Sequence, residues 1–227
     1  MRSNIKLSII IPTFNSEKVI FNCLKSLNTI SNLNIEILFI DSVSSDRTVE
    51  IINQFNFTNS KVFVSKDYGI YDAMNRGVKF AKGDFIYFLG SDDLILSDFT
   101  QLYNKLSRMD TIYYSNVLIN TDIYLGEFNL KKLLKFNISH QSIIYPRNIL
   151  INNPYDLKYK YLADYVLNLK LYSCNYIFKY YPYTIAKYSV DGVSSHNIDL
   201  NFKKDQFKII YKYFKFKGLL FKIINKL

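Results

Sequence analysis

Four short apolar runs, "KLSIII", "IEILFI", "KVFVS" and "FIYFL", recur through the first hundred or so residues, the first three each followed by a helical pattern. Strands that read as unbroken apolar runs are strands covered on both faces. Their alternation with helices predicts an α/β chain whose mostly parallel, nucleotide-binding type of sheet carries helices on both sides. The helices are expected from about Ser16, from about Asp46 and over "IYDAMNRGVKFA", with Asp46 suited to cap the second and Gly83 to stop the third. A chain of 227 residues is long enough to bury such a core.

From about Thr111 the rhythm changes. Strand-like pieces "TIYYSNVLI", "DIYLGEF" and "SIIYP" surround a short helix near Leu130, and "YLADYVLNLKLYS" reads as a strong helix. "YIFKYYPY" and "TIAKYSV" suggest a hairpin, "DGVSSHN" a polar loop. The expected organisation is an α/β half over 1–110, an irregular region over 111–200 in the same compact domain, and a basic amphipathic helix over 201–227, without repeats or low-complexity linkers.

The net charge of +10 is concentrated in that last stretch. A continuous helix there would set Lys208, Lys212, Lys215, Lys222 and Lys226 on one stripe and Phe207, Ile210, Tyr211, Phe214, Phe221 and Ile224 on another face. Such a helix either lies on an anionic membrane surface or docks its apolar side on the core. Nucleic acid is not expected as a partner, because the stripe lacks arginine and no binding motif accompanies it. Cys23 and Cys174 are far apart, without metal-ligand spacing, and no apolar run approaches the ~20 residues that span a bilayer. The expected setting is a reducing cytoplasm, peripheral to the inner face of its membrane.

In an open parallel sheet, ligands bind beyond the carboxyl ends of the strands. Those ends carry Pro12, Thr13, Phe14 and Asn15, then Asp41, then Lys66 and Asp67, then Ser91, Asp92 and Asp93. Clustered acids are unfavourable unless a cation or hydrogen-bond donors compensate. For Asp92 and Asp93 two readings stay open: a helix-capping or solvated turn, or half of a site for Mn²⁺ or Mg²⁺, hard cations that take one or two carboxylates plus phosphates.

"SIIIPTFN", "IDSVSSDRT", "DYGIYDAMNRGVKFAKGDFIYFLGSDD", "SHQ" and "LADY" follow in an order that resembles a family 2 glycosyltransferase of the GT-A fold, within a subgroup that builds bacterial surface polysaccharides. The resemblance runs from about Leu7 to Asp164. It implies Asp93 as metal ligand and Asp92 on the ribose or metal, Asp41 on the nucleotide base, and Pro12, Thr13 and Phe14 along the base pocket. Asp72, Asn75 and Arg76 would approach the donor. Many relatives have Arg where this chain has Met74, so Arg76 or Lys66 would support the diphosphate, while Met74 and Tyr71 are read as helix packing. His140 and Gln141 would contact acceptor or diphosphate, Ser194 and Ser195 phosphate from a lid loop that includes His196, and Asp164 would be the catalytic base, with Asp156 and Asp191 as rivals.

The implied activity is an inverting transfer of a sugar from a nucleotide diphosphate sugar, most simply a UDP-sugar, to a saccharide on a lipid carrier. A metal would act as Lewis acid on the leaving diphosphate, and one carboxylate would deprotonate the acceptor. Two other readings are weighed. A sugar nucleotidyltransferase needs a Gly-rich loop after the first strand, where "PTFNSEKVI" has no glycine. A non-catalytic membrane scaffold has no need of the acids.

Overall fold

The structure, a computed structural model, describes residues 6–124, 126–189 and 197–224. Among them, nine strands form one sheet: β1 (Leu7–Thr13), β2 (Ile35–Asp41), β3 (Ser60–Val64), β4 (Phe85–Phe88), β5 (Leu94–Ile95), β6 (Thr111–Ile119), β7 (Asp122–Tyr124), β8 (Ile143–Pro146) and β9 (Ile177–Tyr188). The α-helices are α1 (Ile20–Leu27), α2 (Thr48–Gln54), α3 (Ile70–Phe80), α4 (Phe99–Lys105), α5 (Leu130–Leu133), α6 (Arg147–Asn152), α7 (Ala163–Ser173) and α8 (Leu200–Ile224).

The sheet order is β3-β2-β1-β4-β8-β6-β9-β5, with β7 added to β6. β3, β2, β1 and β4 run parallel, and β8 joins β4 antiparallel. Strand order reverses between β1 and β4, which makes the carboxyl ends of these two strands the expected ligand crevice. The sheet is continuous across residue 110, so both halves of the chain share one core.

Alternation along each strand builds that core in two layers. Ile9 and Ile11 of β1, Ile37 and Phe39 of β2, and Tyr87 of β4 face α1 and α4; Ile10, Leu38, Ile40, Ile86 and Phe88 face α3, α6 and α7. All are almost wholly buried, each contributing about 1.5–3 kcal/mol. Runs without polar alternation follow from this double covering.

Three expectations are corrected. The hairpin over "YIFKYYPYTIAKYSV" is one strand, β9, paired in parallel with β6. Pro182 sits where the register jumps from Tyr114↔Tyr180 to Asn116↔Thr184, a bulge in which its missing N–H leaves no ladder bond unmade. Gly83 does not cap α3, which ends at Phe80. It passes so close to β1 that a Cβ there would lie 2.5 Å from Ser8 N, while its own N–H donates to Ser8 Oγ at 2.9 Å.

The third correction concerns α8, which is broken at Lys215 (φ 54, ψ −149), so the stripe from 208 to 226 is not one helix face. Up to that break Phe202, Ile209 and Ile210 dock on the core while Phe207 and Tyr211 face outward. The apolar residues expected on one side are thus divided between core and surface. The side chains of Phe221, Lys222 and Ile224, and the whole of Lys226, lie outside the described residues.

Candidate active site

Two loops meet at the carboxyl ends of β1 and β2. Asp41, with no exposed surface, accepts from Thr13 Oγ1 (2.9 Å), Ser44 N (2.8 Å) and Ser44 Oγ (2.6 Å). Its carboxylate therefore clasps the loops, and a nucleotide base would have to displace one of these donors to reach it. Asn15 N–H donates to Ser44 Oγ at 2.9 Å, and Ser45 N–H to Asn15 Oδ1 at 2.9 Å. Phe14, beside this clasp, is 62% exposed, and Pro12 is part-exposed at the strand end.

Val43 in the clasp adopts φ +58 although its side chain is 54% exposed. A β-branched residue there is strained by about 1–2 kcal/mol, and the strain persists because the surrounding bonds fix the loop. Val43→Gly is expected to stabilise the protein by about 1 kcal/mol, after the larger entropy loss of glycine, and to raise Tm by about 2–4 °C. A lower Tm in thermal unfolding would show that the valine side chain itself supports the loop.

The paired acids after β4 differ in burial. Asp93 is 1% exposed, and its Oδ2 accepts from Gly90 N (3.0 Å) and Gln141 Nε2 (2.8 Å), its Oδ1 from Ser189 N (2.9 Å). Asp92 stays part-exposed at the rim. Gly90 makes room for both: an added methyl would collide with Asp93 Oδ2 and lie 2.9 Å from Asp92 Oδ1. Burial, then the charge of Asp93, raises the Asp92 pKa; burial also raises that of Asp93 against its hydrogen bonds. Behind them the Cys23 thiol is pushed well up by burial and then by both aspartates, so it stays protonated and is no nucleophile.

Opposite lies a further carboxylate. Asp164, in the first turn of α7 and 4% exposed, accepts from Tyr71 Oη (2.9 Å) and Tyr165 N (2.7 Å) on Oδ1, and its Oδ2 is 3.3 Å from His140 Nδ1. It lines a cavity of about 210 Å³ with His140, Tyr71, Tyr124, Tyr161 and Tyr188. Burial and then the Asp164 charge hold Tyr71 well above the ordinary tyrosine pKa, so it remains a donor. Tyr71 is therefore more than helix packing, whereas Met74 is wholly buried in the core.

The 3-10 turn His140–Ser142 joins the two sides, as His140 reaches Asp164 and the next residue, Gln141, reaches Asp93. Both side chains are buried and engaged with protein groups. Ser189, at the end of β9, was not anticipated; a polar residue after a strand was its only signal in the sequence.

Other expected residues do not join this cluster. Asn75 is locked to Tyr155, with Nδ2 donating to its O and Oδ1 accepting from its N, both at 2.9 Å. Arg76 donates to Ser65 O (3.0 Å), Ser65 Oγ and Lys66 O (3.5 Å), closing the β3 end. Asp72 accepts from Tyr68 N at 3.1 Å, and Asp156 from Lys158 N at 3.0 Å, both local turns. Asp191, Ser194, Ser195 and His196 lie outside the described residues.

Among the described residues no group of three or more His, Cys, Asp and Glu side chains is arranged to hold a metal. Asp92 and Asp93 nevertheless fit a cation that shares its ligands with a diphosphate: both are hard oxygen donors, and burial raises both pKa values, with the charge of Asp93 adding to the effect on Asp92, a penalty that a nearby positive charge relieves.

The chain is similar to proteins of known activity. Residues 8–177 match the model of "Glycosyl transferase family 2". A PGL/p-HBAD biosynthesis glycosyltransferase of Mycobacterium tuberculosis is 33% identical over 210 residues, 87% of this chain and 82% of that protein. The Escherichia coli UDP-Glc:alpha-D-GlcNAc-diphosphoundecaprenol beta-1,3-glucosyltransferase WfgD is 27% identical over 75% of this chain and 71% of its own. Staphylococcus aureus TarS 1-349 in complex with UDP-GlcNAc superposes with a TM-score of 0.76 at 19% identity, covering 94% of this chain and 69% of that one. Against TarS 1-349 in another crystal structure, this chain spans 64% of the length. Fold and sequence together show that the chain belongs to glycosyl transferase family 2 and is a glycosyltransferase of the GT-A fold.

Proposed function

We propose that this enzyme transfers a sugar, with inversion, from a nucleotide diphosphate sugar, a UDP-sugar, to a lipid-linked saccharide in the synthesis of a bacterial surface glycan. The observation that carries this reading is the buried Asp164 carboxylate on a cavity wall, tied through His140 and Gln141 to the acids that end β4. The names of WfgD and of the TarS complex support the UDP donor, and that of WfgD supports a diphospholipid-borne acceptor.

Asp164 accepts the proton of the acceptor hydroxyl as that oxygen attacks the anomeric carbon from the face opposite the diphosphate. The Tyr71 hydroxyl holds the carboxylate still, and the His140 ring flanks its other oxygen. Asp92 and, behind it, Asp93 would hold Mn²⁺ or Mg²⁺, which when bound supplies Lewis-acid stabilisation of the leaving diphosphate. Phe14 lines the base pocket; Asp41 and Thr13 keep its loops closed. Ser194 is assigned to the diphosphate. Asn75 and Arg76 act at one remove, by holding the backbone at Tyr155 and the end of β3. The cavity, smaller than the roughly 300–1,000 Å³ of drug-sized sites, suits a single acceptor ring among tyrosines.

No described helix is long and apolar enough to cross a membrane, and a lipid-borne acceptor places the enzyme peripherally at the membrane's inner face. Incubating the enzyme with UDP-glucose and UDP-N-acetylglucosamine and following UDP release tests the donor. Release of about tenfold or more over blank, abolished by chelator and restored by Mn²⁺, is expected. Release untouched by chelator removes the metal assignment, and release from no nucleotide sugar removes the donor class.

A further inference from the structure

We propose that an anionic membrane surface docks on a composite face, formed by the 154–160 loop and the outer side of α8, rather than on the terminal lysine stripe alone. It rests on the reading that the acceptor is carried on a lipid. Leu157, Ile198 and Leu200 are 46%, 68% and 74% exposed. Neighbouring residues tie these segments together. Asn201 Nδ2 donates to Lys158 O at 2.8 Å, and Lys158 pairs with Asp205. Asp199, 5% exposed, accepts from Tyr161 N (2.9 Å), Leu162 N (3.2 Å) and Phe202 N (2.9 Å).

Exposed charge on these segments is mostly positive. Lys160, Lys203, Lys204, Lys208 and Lys212 are exposed, whereas Asp199 and Asp205 are buried in the bonds just named; Asp156 is the exposed acid of these described segments. Lysines around protruding aliphatic side chains match a bilayer interface, in which the charges meet anionic headgroups and the aliphatic groups enter the acyl boundary. An acidic protein would match the lysines and leave the aliphatic groups without a role.

The face also adjoins the chemistry. The loop runs on into Tyr161 and Leu162 of the cavity wall, and Asp164 follows two residues later. A saccharide anchored in the bilayer thereby reaches the base while its lipid stays in place.

Sedimentation of the full chain with phosphatidylserine-rich and with pure phosphatidylcholine vesicles tests this. Leu157→Ser/Ile198→Ser/Leu200→Ser and Lys203→Glu/Lys204→Glu/Lys208→Glu are each expected to weaken partitioning onto phosphatidylserine by about tenfold or more. Lys217→Glu/Lys222→Glu, in the terminal segment, is expected to change it by less than about threefold. Wild-type partitioning in both triple variants, loss of binding in the terminal variant alone, or no wild-type preference for phosphatidylserine overturns the proposal. UDP-sugar hydrolysis, read in the same samples, is expected to stay unchanged. Its absence in the wild type would fail the transferase reading, while the vesicle pattern would still support this face.

Discussion

Asp164→Asn is expected to lower sugar transfer by about 10²–10⁴-fold, the range of a positioned general base, and to leave donor affinity within about twofold. The substitution preserves shape: an asparagine Oδ1 still accepts from Tyr71 Oη and Tyr165 N, and its amide can donate to a neutral His140 Nδ1. Folding stability therefore changes little, and the loss is chemical. Turnover assays beside calorimetric titration of the donor separate the two. Turnover within about threefold of wild type would exclude Asp164 as base.

Replacing the two acids should give different stability signatures. Asp93→Ala strands three donors, those of Gly90 and Gln141 buried and that of Ser189 part-buried. Each unsatisfied group costs about 1–3 kcal/mol, so a loss of about 3 kcal/mol and a Tm lower by about 6–12 °C are expected. Asp92→Asn removes a part-exposed charge that burial and Asp93 already disfavour, so Tm stays within about 2 °C while metal-dependent nucleotide binding weakens by tenfold or more. Equal Tm losses would mean that both acids are structural; unchanged metal-dependent nucleotide binding in Asp92→Asn would take that acid off the metal.

The same pKa directions give a pH dependence. Both carboxyls titrate above their unfolded values. The stability contributed by their protonation is fully present below the unfolded pKa, near 3.9, and is lost as pH rises through the raised folded values. Mn²⁺ with UDP should thus raise Tm at pH 7 and have little effect at pH 4.

How far the sequence reaches is clearest at particular residues. Ile9, Ile10 and Ile11 announce a strand covered on both faces, because an unbroken apolar run has no solvent side to spare. That Asp92 and Asp93 end a buried strand beside a glycine is equally plain. Their division of labour is not, because a turn residue's direction depends on donors brought from elsewhere: Gln141 lies 48 residues away and Ser189 lies 96 away. Tyr71 shows the same limit. Its position suits helix packing, and only the docking of α7 against α3 sets its hydroxyl on Asp164, 93 residues later.

The local pattern and composition of the chain by themselves determined the parallel half of the sheet, the strand ends at which Asp41, Asp92 and Asp93 fall and the basic character of the C-terminal stretch, since each depends on neighbours within a few residues. Tertiary structure alone decided which carboxylate faces inward, that Asn75 and Arg76 serve loops instead of the acid cluster, that β9 is one bulged strand, and how the apolar residues of α8 divide between core and surface. Those outcomes turn on competition among distant partners for the same hydrogen bonds and buried area, and a local pattern carries no record of who the competitors are.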